Sequence, residues 1–488
     1  GHIRIWSSKS GRLLRQLDDE DLAVRSLKVS PDEHFVSVGF TDGSIRIWSV
    51  EDFADEQPDF TIDGEVGEAE ISPDGRYSVI GTASGMITSD GARLGAAVQV
   101  LDNEALEASL ATIRFVCDIS QIRMFGNSRE VFIGTTCGEM VIIDLERGKV
   151  KSVLRSVQER EEANGLTTER DPVTGEEYQV FTTLNPAKDE DYDRGVVQAN
   201  IADDQKTIMV MLANGMLQRF AKTNVGWVLE TEGIIDPSLP GIRDADFSAD
   251  NATLMLMAHD GVYRLTMDQL GSDEPIATSV VLSEANFEQA LIDDQCEFAR
   301  FDHQQYTSDG RYIVVQYKML HAMIIDVETS AIARHISIPG TVDNINCNEI
   351  THLSFHADDQ GNELLFILSE DNKLRVWNIA EEQPIQEMGI KRSDASRSPT
   401  EFTLTKDGAF AAAGFDEVVY IFHVETGAIV GTHFAPNGEV QRLRFSEDGS
   451  LLLAAWEDNI RLLPVLPPDV VDLKEIIRKR MPVGARGE

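Results

Sequence analysis

The chain has 488 residues, 42% of them hydrophobic, and carries 43 Lys and Arg against 83 Asp and Glu, a net charge of −40. So acidic a surface repels phosphate backbones and anionic lipid headgroups, which argues against nucleic-acid and membrane partners and leaves two readings, a protein partner with a basic surface or general solubility. No run approaches 18 apolar residues, and no start resembles a signal peptide.

The first residues, "GHIRIWS", recur almost unchanged as "GSIRIWS" at 43–49. Between them, "VRSLKVSPDEHFVSVGFTDGSIRIWS" at 24–49 holds three short apolar runs separated by "SPDE" and "TDG". Alternation punctuated by Pro, Asp and Gly reads as antiparallel strands joined by tight turns. The first turn returns as "SPDG" at 72–75, "GNSR" at 126–129, "ADDQ" at 202–205 and "SADN" at 248–251. It returns again as "TSDG" at 307–310, "HADD" at 356–359, "TKDG" at 405–408 and "SEDG" at 446–449. The closing run recurs as "AVQVLD" at 97–102, "MVIIDL" at 140–145, "AMIIDV" at 322–327, "KLRVWN" at 373–378 and "VVYIFHV" at 418–424. A fourth run often follows "TG" or "RG", as in "GKVKSVL" at 148–154.

Four short strands per unit at a period of about 40–50 residues is the signature of a propeller blade. The chain resembles the WD-repeat β-propeller family from residue 1 to about 466. The resemblance is carried by the Ser-Pro-Asp-Gly turn (Asp74, Asp407, Asp448) and by Trp6, Trp48 and Trp377 at the end of the third strand. The family's Asp after that Trp is replaced by Ser7, Ser49 and Asn378, and its Gly-His dipeptide is largely missing. The turn aspartates are expected to cap their own turns, and the tryptophans to pack between blades.

Nine units follow residue 23, with two strands of an earlier unit before them. The expected class is all-β: a seven-bladed ring over 111–466, closed by "LEASLA" at 106–111, with residues 1–110 as the last blades of a truncated upstream ring. Closure by "GRLLRQL" at 11–17 is the alternative, and would give nine blades. Residues 84–96 lengthen one blade. Residues 156–195 form the largest insertion, whose "ERDPVTGEEYQVF" reads either as a projecting hairpin or as a plain surface excursion. Residues 467–488 form a basic tail. Its helix has Asp469 as N-cap, an apolar stripe of Val470, Leu473, Ile477 and Met481, and a stop at Pro482. This tail loosely resembles the helix after the last blade in bacterial signal-transduction ATPases with C-terminal WD repeats.

Chemistry-bearing patterns are few. Asp189, Asp191 and Asp193 occupy calcium-loop positions, but Arg194 stands where Gly is needed and Asn200 where Glu is needed. His352 and His356 share a strand face about 13 Å apart, too far to hold one metal. There is no HExxH, GxSxG or phosphate-binding loop. Cys117, Cys137, Cys296 and Cys347 form no CxxC pair and read as free thiols of a reducing compartment. Aligning the units places Arg25, Ser120, Val197, Arg243, Asp302, Thr351, Thr400 and Gln441 at one position, second in the first strand. In the resembling family that end of the strand lines the top of the ring, so these eight are the candidate interaction residues. The expected role is a non-enzymatic, cytoplasmic scaffold or sensor with no cofactor or metal. The alternatives are a propeller enzyme or ligand binder at the central channel, and a structural subunit.

Overall fold

The computed structural model describes strands between residues 2 and 61 and a hairpin within 165–182 by their backbone. With short interruptions it describes backbone and side chains over 66–82, 96–103, 110–154, 195–282, 304–338, 350–357, 363–389 and 399–465. Eight antiparallel blades form the ring. Their innermost strands are Glu65–Ile71, Ile119–Met124, Val196–Ile201, Ile242–Phe247, Phe301–Tyr306, Ile350–Ala357, Glu401–Leu404 and Val440–Phe445. Each lies beside the next, and the eighth lies beside the first.

This corrects the blade count and the closure. Residues 65–115 are the first blade of the ring itself, and "LEASLA" runs into the fourth strand of that blade, Ser109–Phe115, which pairs with Ala96–Asp102. The closing strand is Phe60–Thr61. It pairs antiparallel with Asn459–Pro464 through Thr61↔Asn459 and Phe60↔Ile460, and so supplies the fourth strand of the eighth blade. "GRLLRQL" does not close the ring either, because Leu13–Asp18 pairs with His2–Trp6 in a separate two-stranded sheet. Val24–Val29, Phe35–Phe40 and Ile45–Ser49 form a three-stranded sheet. Its last strand lies near Ala428–Phe434, the outer strand of the seventh blade.

The hairpin in the 156–195 insertion does not project. Gly165–Arg170 pairs with Glu177–Thr182, which lies parallel to Ser109–Phe115 and so caps the outer edge of the first blade. A covered edge offers no template for pairing with another chain. Residues 84–95, the Asp189–Asp193 stretch and the 467–488 tail lie outside the described residues.

The core sits between blades, since a lone four-stranded sheet cannot bury both faces. One seam packs Phe410, Val419 and Ile421 of the seventh blade against Val440, Leu443, Leu452 and Trp456 of the eighth. Trp377, 5% exposed, packs with Val314, Ile324, Leu365 and Ile367 across the fifth and sixth blades. Close approach demands glycine in second strands. A Cβ on Gly134 would lie 2.9 Å from Val196, and one on Gly414 only 2.6 Å from Val440. The side chains of Trp6 and Trp48 lie outside the described residues.

The repeated turn is closed by side chains. Asp448 Oδ1 accepts bonds from Ser446 Oγ at 2.7 Å and the Ser450 N–H at 3.0 Å, while Ser446 Oγ accepts the Leu451 N–H at 3.0 Å. Ser72 with Asp74, Ser248 with Asp250 and Thr405 with Asp407 repeat the pattern. The last turn residue takes positive φ, at Gly75, Gly310, Gly408 and Gly449 and at Gln205 and Asn251, and so does Ser128, where the turn closes over 125–128, one residue earlier than the sequence suggests. The Ser446 hydroxyl and the Ser450 N–H hold the Asp448 carboxyl below the usual carboxylate range. Asp448→Ala is expected to cost about 1.5–3 kcal/mol, the size of a lost charged hydrogen bond, read from chemical denaturation.

Candidate functional site

The innermost strands wall the central channel with alternate residues. Counting back from each turn, one ring holds Glu70, Arg123, Asn200, Asp246, Ser354 and Arg444, and the ring above it holds Glu68, Gln121, Gln198, Asp244, His352, Glu401 and Arg442. A cavity of about 1000 Å³ opens among them, lined by Arg123, Asp244, Asp246, Glu401 and Arg444, with Thr351 and Glu370 also on its wall.

Many of these side chains bind one blade to the next. Arg123 Nε donates to Ala199 O at 3.2 Å, and its Nη2 to Gln198 Oε1 at 3.1 Å. Asp246 Oδ2 accepts the Tyr306 N–H at 3.1 Å, and Gln305 Oε1 accepts the Phe355 N–H at 3.2 Å. At the seam between the last and first blades, Arg442 pairs with Glu68 at 3.2 Å and Arg444 with Glu70 at 3.4 Å. Arg444 also reaches Glu401 of the seventh blade at 3.0 Å.

Burial and neighbouring charge set the protonation states. Burial pushes the Asp246 carboxyl up to about 6, with Asp244 adding to the shift and the Tyr306 N–H opposing it. Burial also raises Glu401, against the pull of Arg444 and Arg442. Burial would lower the Arg444 guanidinium, but Glu70 and Glu401 hold it above its ordinary value. Burial lowers Arg123, with Glu70 and Glu68 opposing.

Of the five aligned positions whose side chains are described, only Thr351 lines the cavity. The pairing register slips at Arg25, Ser120, Val197, Arg243, Thr351 and Gln441, and in the fifth blade across Asp302 and His303, so the position is a β-bulge. The channel-facing residue is the next one along, such as Gln121, Gln198, Asp244 and Arg442. The Ser120 hydroxyl donates to Val196 O at 2.7 Å, and the Thr351 hydroxyl to Leu368 O at 3.1 Å. Thr400 Oγ1 has no hydrogen-bond partner among the described residues. The side chains of Arg25, Arg243 and Asp302 lie outside the described residues.

A second cluster sits on the same end of the second blade. Cys117 precedes its innermost strand and Cys137 lies in the turn after its second strand, and the two form a disulfide. This overturns the expectation of free thiols for that pair, because the strand geometry brings two turns 20 residues apart within bonding reach. Cys296 and Cys347 lie outside the described residues. Beside the bridge, Glu139 is 4% exposed, and neither of its oxygens makes a hydrogen bond of full geometry. Burial pushes its carboxyl up to about 8, although the Thr135 hydroxyl and the Cys117 N–H draw it the other way.

The profile described as "WD domain, G-beta repeat" matches residues 11–49, a stretch outside the ring. No curated protein matches the chain. Sqt1 from Chaetomium thermophilum superposes with a TM-score of 0.56 at 12% identity, over 84% of this chain and 99% of that one. The C-terminal WD40 domain of Sif2 gives 0.55 at 9% identity, over 84% and 98%. The Dos1 propeller gives 0.52 at 11% identity, over 83% and 94%. The comparisons lend no support to the tail's likeness to bacterial signal-transduction ATPases. Identities this low establish the fold and nothing finer: the chain is built as a β-propeller, with a WD-repeat pattern matched over one stretch before the ring.

Proposed function

We propose that this is a non-catalytic interaction module whose channel mouth docks a basic segment of a protein partner. The observation that carries this reading is the charge of the cavity wall. Asp244, Asp246, Glu370 and Glu401 line it against Arg123 and Arg444, in a chain of net charge −40. Carboxylates in a concave wall focus a negative potential and draw in cationic side chains. Among the described residues no helix is long and apolar enough to cross a membrane. A cytoplasmic setting belongs to the proposal, and it requires that the Cys117–Cys137 bond be held open by cellular dithiols.

Hexalysine is the probe for the mouth, followed by calorimetry. We expect binding that weakens steeply with salt, and a loss of about tenfold or more in the double variant Asp244→Asn, Glu370→Gln. Equal binding by the variant and the parent would overturn the reading. The cavity also favours a second reading, a small cationic ligand held at the channel. Saturation by a free diamine at the same affinity as hexalysine would point there.

A further inference from the structure

We propose that Cys117, Cys137 and Glu139 form a redox-gated site for a thiophilic divalent cation, zinc above all, closed as the disulfide and opened by a dithiol. Their candidate ligand atoms, two sulfurs and a carboxylate oxygen, all lie within 4.8 Å of one another. Glu139 supplies the independent observation. It is 4% exposed, and neither oxygen makes a hydrogen bond of full geometry; the Thr135 hydroxyl and the Cys117 N–H lie close to it without satisfying it. A buried carboxyl without a well-formed hydrogen bond costs free energy that the neutral disulfide beside it does nothing to offset. A bound cation would offset it.

The donor set selects the ion. Two thiolates and one carboxylate suit zinc and disfavour magnesium and calcium, which want oxygen alone. Once the bond is cut, the sulfurs can part toward the roughly 3.8 Å edge of a tetrahedron with metal–sulfur bonds of about 2.3 Å. Cys137 is only partly buried, so a water can complete the fourth position.

The chemistry balances in two steps. A dithiol passes two electrons and two protons to the sulfurs of Cys117 and Cys137, cleaving their bond, and leaves as a cyclic disulfide. The cation then forms two metal–sulfur bonds and one metal–oxygen bond, and the displaced protons go to solvent. Either link ties the start of the innermost strand to the turn after the second strand, so the top of the second blade stays stapled in both states.

The test uses the full chain with Cys296→Ser and Cys347→Ser, reduced with dithiothreitol and desalted under nitrogen. Cobalt reports the ligands through the intense thiolate charge-transfer bands of a tetrahedral site, and dialysis against zinc gives stoichiometry. We expect one ion per reduced chain and none per oxidised chain. Cys137→Ser should abolish the thiolate band. Glu139→Gln should keep the band and weaken binding at least tenfold. Protection of both thiols from iodoacetamide by zinc, read by mass spectrometry on the parent chain, decides the matter even if a variant fails to fold. Absence of zinc binding by the reduced chain, unprotected thiols, or undiminished affinity in Glu139→Gln would overturn the proposal.

Discussion

A chain that starts at residue 64 is expected to be less stable than one that starts at residue 51, by a few kcal/mol, and to self-associate. The two differ chiefly in Phe60–Thr61, the closing strand. Without it the eighth blade has three strands, and Asn459–Pro464 becomes an open edge. The lost ladder bonds are worth about 1 kcal/mol each. The covalent tie between first and last blades adds to this, because without it the seam must hold the ring shut alone. An exposed strand edge then recruits another chain. Removing only residues 1–50 should leave the eight blades intact. Urea unfolding and analytical ultracentrifugation of both truncations read the difference. Equal midpoints and equal sedimentation would mean that the short strand closes nothing. A residue-64 start that instead matched the parent chain, while the residue-51 start aggregated, would move the closure into the sheets at 2–49.

The features that were legible in the sequence are local ones. The Ser-x-Asp-Gly turn is a chemical object four residues long, and it recurs wherever Ser446–Asp448, Ser72–Asp74 or Thr405–Asp407 close a hairpin. Strands between such turns were therefore readable. The blade boundary is hidden where two strands meet without turn chemistry. Ser109–Phe115 ends one blade and Ile119–Met124 begins the next, with only Val116, Cys117 and Asp118 between them. Closure was hidden for another reason: a two-residue strand has no periodicity, and its partner lies some 400 residues away.

The channel wall lies one residue beyond the aligned position. A β-bulge adds a residue that faces neither side regularly, and Arg25, Ser120, Val197, Thr351 and Gln441 share no chemistry that would mark one. Alternation then points to the wrong face. The disulfide was equally invisible, because the meeting of Cys117 and Cys137 depends on how the connection between blades folds back over a turn of the second blade.

The ionic seam gives the second large effect. Arg444→Met is expected to destabilise the fold by about 3–5 kcal/mol, the cost of leaving buried carboxylates without their cation. Arg444 is shared by Glu70 of the first blade and Glu401 of the seventh, so one substitution strands two acids across both walls of the last blade. Glu401 is already raised by burial, and removing Arg444 takes away the main opposing charge, so its carboxyl should rise further. An acid whose native pKa is raised binds its proton more readily folded than unfolded. Its unfavourable share therefore grows as pH rises through the interval between the unfolded and native values, and vanishes below the unfolded value. The deficit of Arg444→Met should accordingly shrink on acidification toward pH 4.5. The triple variant Arg444→Met, Glu70→Gln, Glu401→Gln should recover most of the loss at neutral pH, because it removes the stranded charges together with their partner. Guanidinium-independent denaturation in urea at pH 7.5 and pH 4.5 separates these outcomes. A deficit that is independent of pH and unrelieved in the triple variant would assign the role of Arg444 to packing of its aliphatic stem, and leave the closure to the apolar seam around Trp456.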